Sequence, residues 1–239
     1  NAPPPGLAWE ALPEVFMAPT TPPNAPAVQG AGLVPFRDPA PAFSRNILIP
    51  RDFSNAPLQT EPSIAVNPND PDHLVMGSID YNFPNVTNYV SIDGGVTWEG
   101  PFRPPYLAED IGSGGDAVVA FDRDGNVYII FISIGVEEFT VGPAADQAVV
   151  SSIAISKSEN GGRTWNEPVS SFRSGISKNL SPGPDGQLQG DIAISFLDKP
   201  WLGIGPSKED LSIDAIYVTM TEFTERFPII FPFGGNFPF

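Results

Sequence analysis

Carboxylates and guanidiniums are the side chains through which this chain could do chemistry. It contains no Cys, which excludes thiolate nucleophiles, disulfides and thiolate-ligated zinc or iron–sulfur centres. Its one imidazole, His73, ends the run Asn67-Pro-Asn-Asp-Pro-Asp-His73, and those turn formers predict a solvated loop histidine. Acidic side chains number 28, and two carboxylates at a fixed separation are enough for glycoside hydrolysis. Asp80, Asp116 and Asp191 border runs that read as strands and are the first to weigh. The ordinary role of an acid at such a position is hydrogen bonding between neighbouring sheets. Asp122-Arg-Asp124-Gly-Asn126 resembles a calcium loop only superficially, because its Gly comes too early and no closing Glu succeeds it; a hairpin turn explains it better. No metal site and no cofactor emerge, while calcium held by other loop carboxylates stays open.

Against those acids stand 12 basic residues, a formal charge of −16 that repels a phosphate backbone, so nucleic acid is excluded as a partner. No stretch approaches the roughly 18–20 apolar residues of a membrane-spanning helix. The chain starts at Asn1 without a basic and apolar leader, read here as a trace of processing and of export. Asn85-Val-Thr87 and Asn179-Leu-Ser181 match the glycosylation sequon.

The elements that must position these residues are strands. Charged residues make up 17% of the chain, and its 29 Pro and 23 Gly mark it as turn-rich and helix-poor. Residues 1–59 are dense in Pro and read as an extended arm whose apolar residues dock on something. From residue 60, short β-branched and aromatic runs alternate with Asn, Asp, Gly and Pro clusters. Strands are predicted over 63–66, 74–78, 88–92, 117–121, 127–133, 152–156, 192–196 and 215–222. Two repeats interleave: Gly115-Asp116-Ala-Val-Val-Ala-Phe121 with Gly190-Asp191-Ile-Ala-Ile-Ser-Phe196, and Ser91-Ile-Asp93-Gly-Gly95-Val-Thr97-Trp98 with Ser158-Glu-Asn160-Gly-Gly162-Arg-Thr164-Trp165. Units of this length with about four strands each fit propeller blades.

The second repeat is a stabilised turn in which Asp or Asn accepts local backbone bonds, Gly supplies positive φ, and Trp fills the space beneath. Ser91, Asp93, Gly95, Thr97 and Trp98, with Ser158, Asn160, Gly162, Thr164 and Trp165, resemble the Asp-box, or BNR repeat, of the sialidase-like β-propeller superfamily. Glu61-Pro-Ser-Ile-Ala-Val-Asn-Pro68 resembles a blade-opening hairpin of that group, and Asp198-Lys-Pro-Trp201 with Ile216-Tyr-Val-Thr219 resembles a third blade. The resemblance implies an all-β, sialidase-like β-propeller: an arm over 1–59, about three four-stranded blades over 60–226 as part of a six-bladed ring, and a Phe/Pro-rich tail or loop over 227–239. It implies an exported or cell-surface protein, read as a non-catalytic interaction module whose arm and tail contact a protein partner or further copies.

Sialidases of the superfamily clamp an anionic sugar with three arginines. Arg123 and Arg163 occupy turn positions and Arg37, Arg45 and Arg51 belong to the arm, which leaves Arg103, Arg173 and Arg226 as a candidate clamp. No catalytic residue is assigned. A glycoside hydrolase with part of its set outside these residues is one alternative; a glycan-binding propeller using Trp9, Tyr81, Tyr106 or Trp201 as stacking platforms is the other.

Overall fold

The computed structural model describes Ile49 and residues 58–82, 85–142, 144–184 and 186–231. All belong to the compact unit Leu48–Phe239. Among them are three antiparallel sheets and no helix.

The first sheet is a meander of β1 (Gln59–Asn67), β2 (Asp70–Asp80), β3 (Asn85–Ser91) and β4 (Glu99–Phe102), adjacent in that order. The second repeats it with β5 (Gly112–Phe121), β6 (Val127–Val141), β7 (Ala144–Ser158) and β8 (Val169–Arg173). The third sets β10 (Leu188–Pro206) between β9 (Ile176–Pro182) and β11 (Asp214–Phe231).

Turn chemistry closes the hairpins. Asp122 Oδ1 accepts the backbone N–H of Asp124 at 3.0 Å and of Asn126 at 2.8 Å, and Gly125 takes φ +85°, so the calcium-like sequence is the β5–β6 turn. This turn also ties the sheets together. Asn69 Nδ2 donates to the Arg123 carbonyl at 2.7 Å, while Arg123 Nε reaches Asp214 Oδ1, at the start of β11, at 2.7 Å.

Period-2 alternation lets the middle sheet bury both faces. One face, with Val119, Ile129 and Phe131, packs on Val75, Val86 and Val90 of the first sheet. The other, with Val118, Ile130 and Ile132, packs on Leu202 of the third. The first contact is close because Gly77 has no side chain: a Cβ there would lie 3.2 Å from Ala117 Cβ and 3.3 Å from Val119 Cγ1.

The predicted strands all fall inside observed ones, apart from Ile92, which lies one residue beyond β3. Several expectations need correction. β4, β8 and β9 were not anticipated, being short or polar strands whose partners, not their composition, make them strands. The tail boundary at 227 is too early, because Phe227 to Phe231 pair with Leu188 to Ile192 as the end of β11. Residues 232–239 and nearly all of the arm lie outside the described residues. His73 is no loop residue: it sits buried on β2. Its Nε2 lies 3.0 Å from the Gly161 carbonyl, which can only accept, so Nε2 carries the proton and Nδ1 accepts from Asn67 Nδ2 at 3.1 Å. The first sequon is occupied by structure, since Thr87 is fully buried and Asn85 Oδ1 accepts from Ser113 Oγ at 2.9 Å.

Candidate functional site

Each sheet contains a strand with an irregularity at one equivalent place. The β1–β2 ladder slips between Thr60 and Ser63, the β5–β6 ladder between Gly115 and Val118, and the β10–β11 ladder between Asp198 and Trp201. At each slip stands a non-glycine residue in the left-handed region: Glu61 at φ +51°, Asp116 at +53° and Lys199 at +50°. Such φ values are uncommon in side-chain-bearing residues and persist only where the surroundings enforce them. The equivalence therefore runs Glu61, Asp116, Lys199, which corrects the pairing of Asp116 with Asp191 expected from sequence. Asp191 lies further back on β10, with an exposed ion pair to Arg226 Nη1 at 2.7 Å.

The three bulge residues meet. Lys199 Nζ lies 3.0 Å from Glu61 Oε1 and 3.2 Å from Asp116 Oδ2, and the Lys199 backbone N–H donates to the same Asp116 oxygen at 3.1 Å. Glu61 and Asp116 are also within hydrogen-bonding reach of each other. Hydrogen bonding to Asp116, then to Lys199, holds Glu61 below the ordinary carboxylate range. Burial first, and the neighbouring Glu61 second, push Asp116 above it. The two carboxyls raise Lys199, with the bond to Glu61 the larger cause. One ammonium thus joins acids from two other sheets.

Side chains counted from these residues obey one rule. In the second and third sheets the first and third positions onward, Ala117 and Val119, Pro200 and Leu202, are buried, with Val119 packed toward the first sheet and Leu202 toward the second. The second and fourth positions pack on the next sheet: Ser63 Oγ accepts the Val119 N–H at 3.3 Å, Ala65 joins the first core, and Val118 and Ala120 join the second. At the two ends the rule leaves side chains uncovered. Ile64 is 57% exposed and Val66 51% on the first sheet, while Trp201 is 66% exposed and Tyr217, opposite Gly203, is 56% exposed on the third.

The two repeated Ser-x-Asp/Asn-Gly-Gly-x-Thr-Trp turns join equivalent strands, β3 to β4 and β7 to β8. Their internal bonding agrees closely. Ser91 Oγ donates to Asp93 Oδ1 at 2.9 Å and Ser158 Oγ to Asn160 Oδ1 at 3.0 Å; the Gly95 and Gly162 N–H groups each reach their serine Oγ at 2.8 Å. The N–H groups of Thr97 and Thr164 bond Asp93 and Asn160 at 2.8 and 2.9 Å. Outwardly they differ. Trp98 Nε1 donates to its own Gly95 carbonyl at 3.1 Å, whereas Trp165 Nε1 crosses to Asn88 Oδ1 on the first sheet at 2.8 Å. Asn88 Nδ2 returns a bond to the Gly162 carbonyl at 2.7 Å, and Arg163 Nε pairs with Glu99 at 2.8 Å. The second turn is a peg between sheets; the first leaves Ile92 and Val96 exposed.

The three candidate arginines come from three different sheets. Arg103 comes directly after β4 of the first sheet. Arg173 ends β8, held by Asp110 Oδ1 at 2.8 Å, Ser152 Oγ at 2.9 Å and Glu137 Oε1 at 3.1 Å. It lines an open cavity together with Arg226, but each of these two guanidiniums already has a carboxylate partner. Asp80 is buried and its Oδ1 caps the Asn82 N–H at 3.0 Å. Among the described residues no three His, Asp or Glu side chains are grouped to hold a metal ion.

Glu61 and Lys199 were missed on sequence. Their signal was available: each stands directly before Pro and a short apolar alternation, in Glu61-Pro-Ser-Ile-Ala-Val and Lys199-Pro-Trp-Leu-Gly-Ile. Comparison with protein-family models and with curated proteins returns no match for the chain.

Proposed function

We propose that the chain supplies three blades of a sialidase-like β-propeller that acts outside the cell or at its surface as a non-catalytic interaction and assembly module. The observation that carries this is the meeting of Glu61, Asp116 and Lys199: three strands, bulged at one equivalent residue with nearly one φ, converge on one point. Each contributes a sheet that uses the same strand positions against its neighbours, which is how blades stand around an axis. The uncovered side chains Ile64, Val66 and Trp201 are then the interaction surface.

The axial carboxyls fit a structural role better than hydrolysis. A retaining glycosidase holds its two carboxyls about 5 Å apart and an inverting one holds them farther. Here Lys199 Nζ is ion-paired to both acids, 3.0 Å from Glu61 Oε1 and 3.2 Å from Asp116 Oδ2, which ties the pair into a contact between sheets. For sugar stacking, Trp201 is exposed, but it stands at a strand position that the other sheets bury against a neighbour. The test is a panel of chromogenic glycosides that includes sialosides, incubated with the whole chain. No turnover is expected; turnover that Asp116→Asn abolishes would overturn the proposal.

A further inference from the structure

We propose that the cavity beside Asp80, between the first and second sheets, binds a neutral sugar. It is an open space of about 350 Å3 where β2 ends and β3 and β5 begin, lined by Asp80, Tyr81, Asn82, Asn85 and Ser113. That volume falls within the roughly 300–1,000 Å3 of small-ligand sites. Asp80 is only 4% exposed, and its two oxygens are used differently. Oδ1 accepts from the Asn82 backbone N–H and from Asn82 Nδ2, both at 3.0 Å. Among the described residues nothing donates to Oδ2. Burying a carboxyl oxygen without a donor is costly, and a ligand that donates to it recovers that cost.

Asn85 supplies the complement. Ser113 Oγ accepts the Val86 N–H and spends its own proton on Asn85 Oδ1 at 2.9 Å, which orients the amide and leaves Nδ2 to donate. Among the described residues Nδ2 has no acceptor. The cavity therefore offers one acceptor and one donor. An ammonium or metal ion satisfies Asp80 and is repelled by the Asn85 N–H groups; an anion does the reverse. A hydroxyl both donates and accepts, so two neighbouring hydroxyls on one ring satisfy both side chains. Tyr81 lines the same space and is 57% exposed, giving an aromatic face for the C–H side of that ring. No Arg or Lys stands among the described lining residues, so the sugar that fits is uncharged. The site goes beyond the module reading, because it stands on this cavity alone.

Saturation-transfer NMR on the whole chain with methyl α-glucoside, methyl α-galactoside and methyl α-mannoside tests this. Transfer to at least one of them is expected, saturating with a dissociation constant on the order of 1 mM for a ligand of this size. Asp80→Asn keeps an oxygen for the Asn82 cap but replaces the free acceptor with a donor, and should weaken binding roughly 10-fold or more. Tyr81→Ala, at an exposed position, should weaken it roughly 5-fold, while Trp201→Ala should leave it unchanged. Far-UV circular dichroism reports whether each variant folds. No transfer to any of the three glycosides at about 20 mM, well above that constant, overturns the proposal. Transfer to N-acetylglycinamide alone makes the cavity a peptide site and overturns the sugar. Binding that survives in folded Asp80→Asn and Tyr81→Ala overturns the location. The chromogenic panel is read separately: turnover there overturns the module reading and leaves binding at Asp80 standing.

Discussion

Asn88→Ala should lower stability by about 3 kcal/mol, because one buried amide holds the turn of Ser158 to Trp165 to the first sheet. Asn88 has no solvent exposure; its Nδ2 donates to the Gly162 carbonyl at 2.7 Å and its Oδ1 accepts from Trp165 Nε1 at 2.8 Å. Alanine strands both partners. An unsatisfied buried group costs about 1–3 kcal/mol. The Gly162 carbonyl, buried, takes about 2 kcal/mol of that range, and the half-buried indole N–H, which water reaches in part, about 1 kcal/mol. A unit of this size loses roughly 2–4 °C in Tm per kcal/mol, so the melting point falls by roughly 6–12 °C. Urea unfolding monitored by Trp fluorescence is the assay, with the midpoint falling and the slope unchanged. A loss below about 1 kcal/mol would refute the reasoning, because it would mean that the cross-sheet bonds exchange freely with water. Asn88→Asp sharpens the test by putting a carboxylate oxygen where the donor to Gly162 stood, and should destabilise at least as much at neutral pH.

Three further outcomes are expected from the same measurements. Trp165→Phe should cost about 1–2 kcal/mol and Trp98→Phe less than about 0.5 kcal/mol, since only the first strands a buried acceptor on another sheet; equal losses would contradict the peg. Phe131→Ala should cost about 3–5 kcal/mol, as Phe131 is fully buried between the first and second sheets. The stability of Asp116→Asn relative to the wild type should rise as pH rises above 3.8, the ordinary value for an aspartate. The raised carboxyl sets the sign: the folded state binds the proton more tightly than the unfolded state, so wild-type stability from this group is present at low pH and lost as pH rises through the folded value. Urea midpoints for both proteins across the acid range measure that difference, and a constant offset would contradict it.

The strands most legible in the sequence were those with a core face of their own. Val127–Ser133 is a nearly continuous β-branched and aromatic run because the middle sheet packs on both sides, and Leu74–Ser78 turns Val75 into the core against one neighbour. β4, with the sequence Glu-Gly-Pro-Phe, and β8, Val-Ser-Ser-Phe-Arg, carry no such record. They are outer strands, paired on one side, and the ladder specifies them more than the side chains do. His73 misled because six turn-forming neighbours outweighed one residue whose contacts, the Phe121 ring and the Gly161 carbonyl 88 positions away, are distant in sequence.

The candidate site divides along the same line. The two repeated turns are local objects, with bonds spanning two to four residues, so Ser, Asp or Asn, Gly and Thr at fixed spacing were enough to find them. Their role is not local: the same motif closes on itself through Trp98 and grips another sheet through Trp165. The cluster where the three sheets meet was harder still, because Glu61, Asp116 and Lys199 share no chemistry; an acid, an acid and a base occupy one structural position. Their common property is φ near +50°, a backbone feature that the side-chain alphabet records only indirectly. Residue type alone aligns Asp116 with Asp191. The short apolar alternation immediately downstream aligns it instead with Glu61 and Lys199, because the periodicity that buries a strand between two sheets is repeated more faithfully than the side chain placed at its bend.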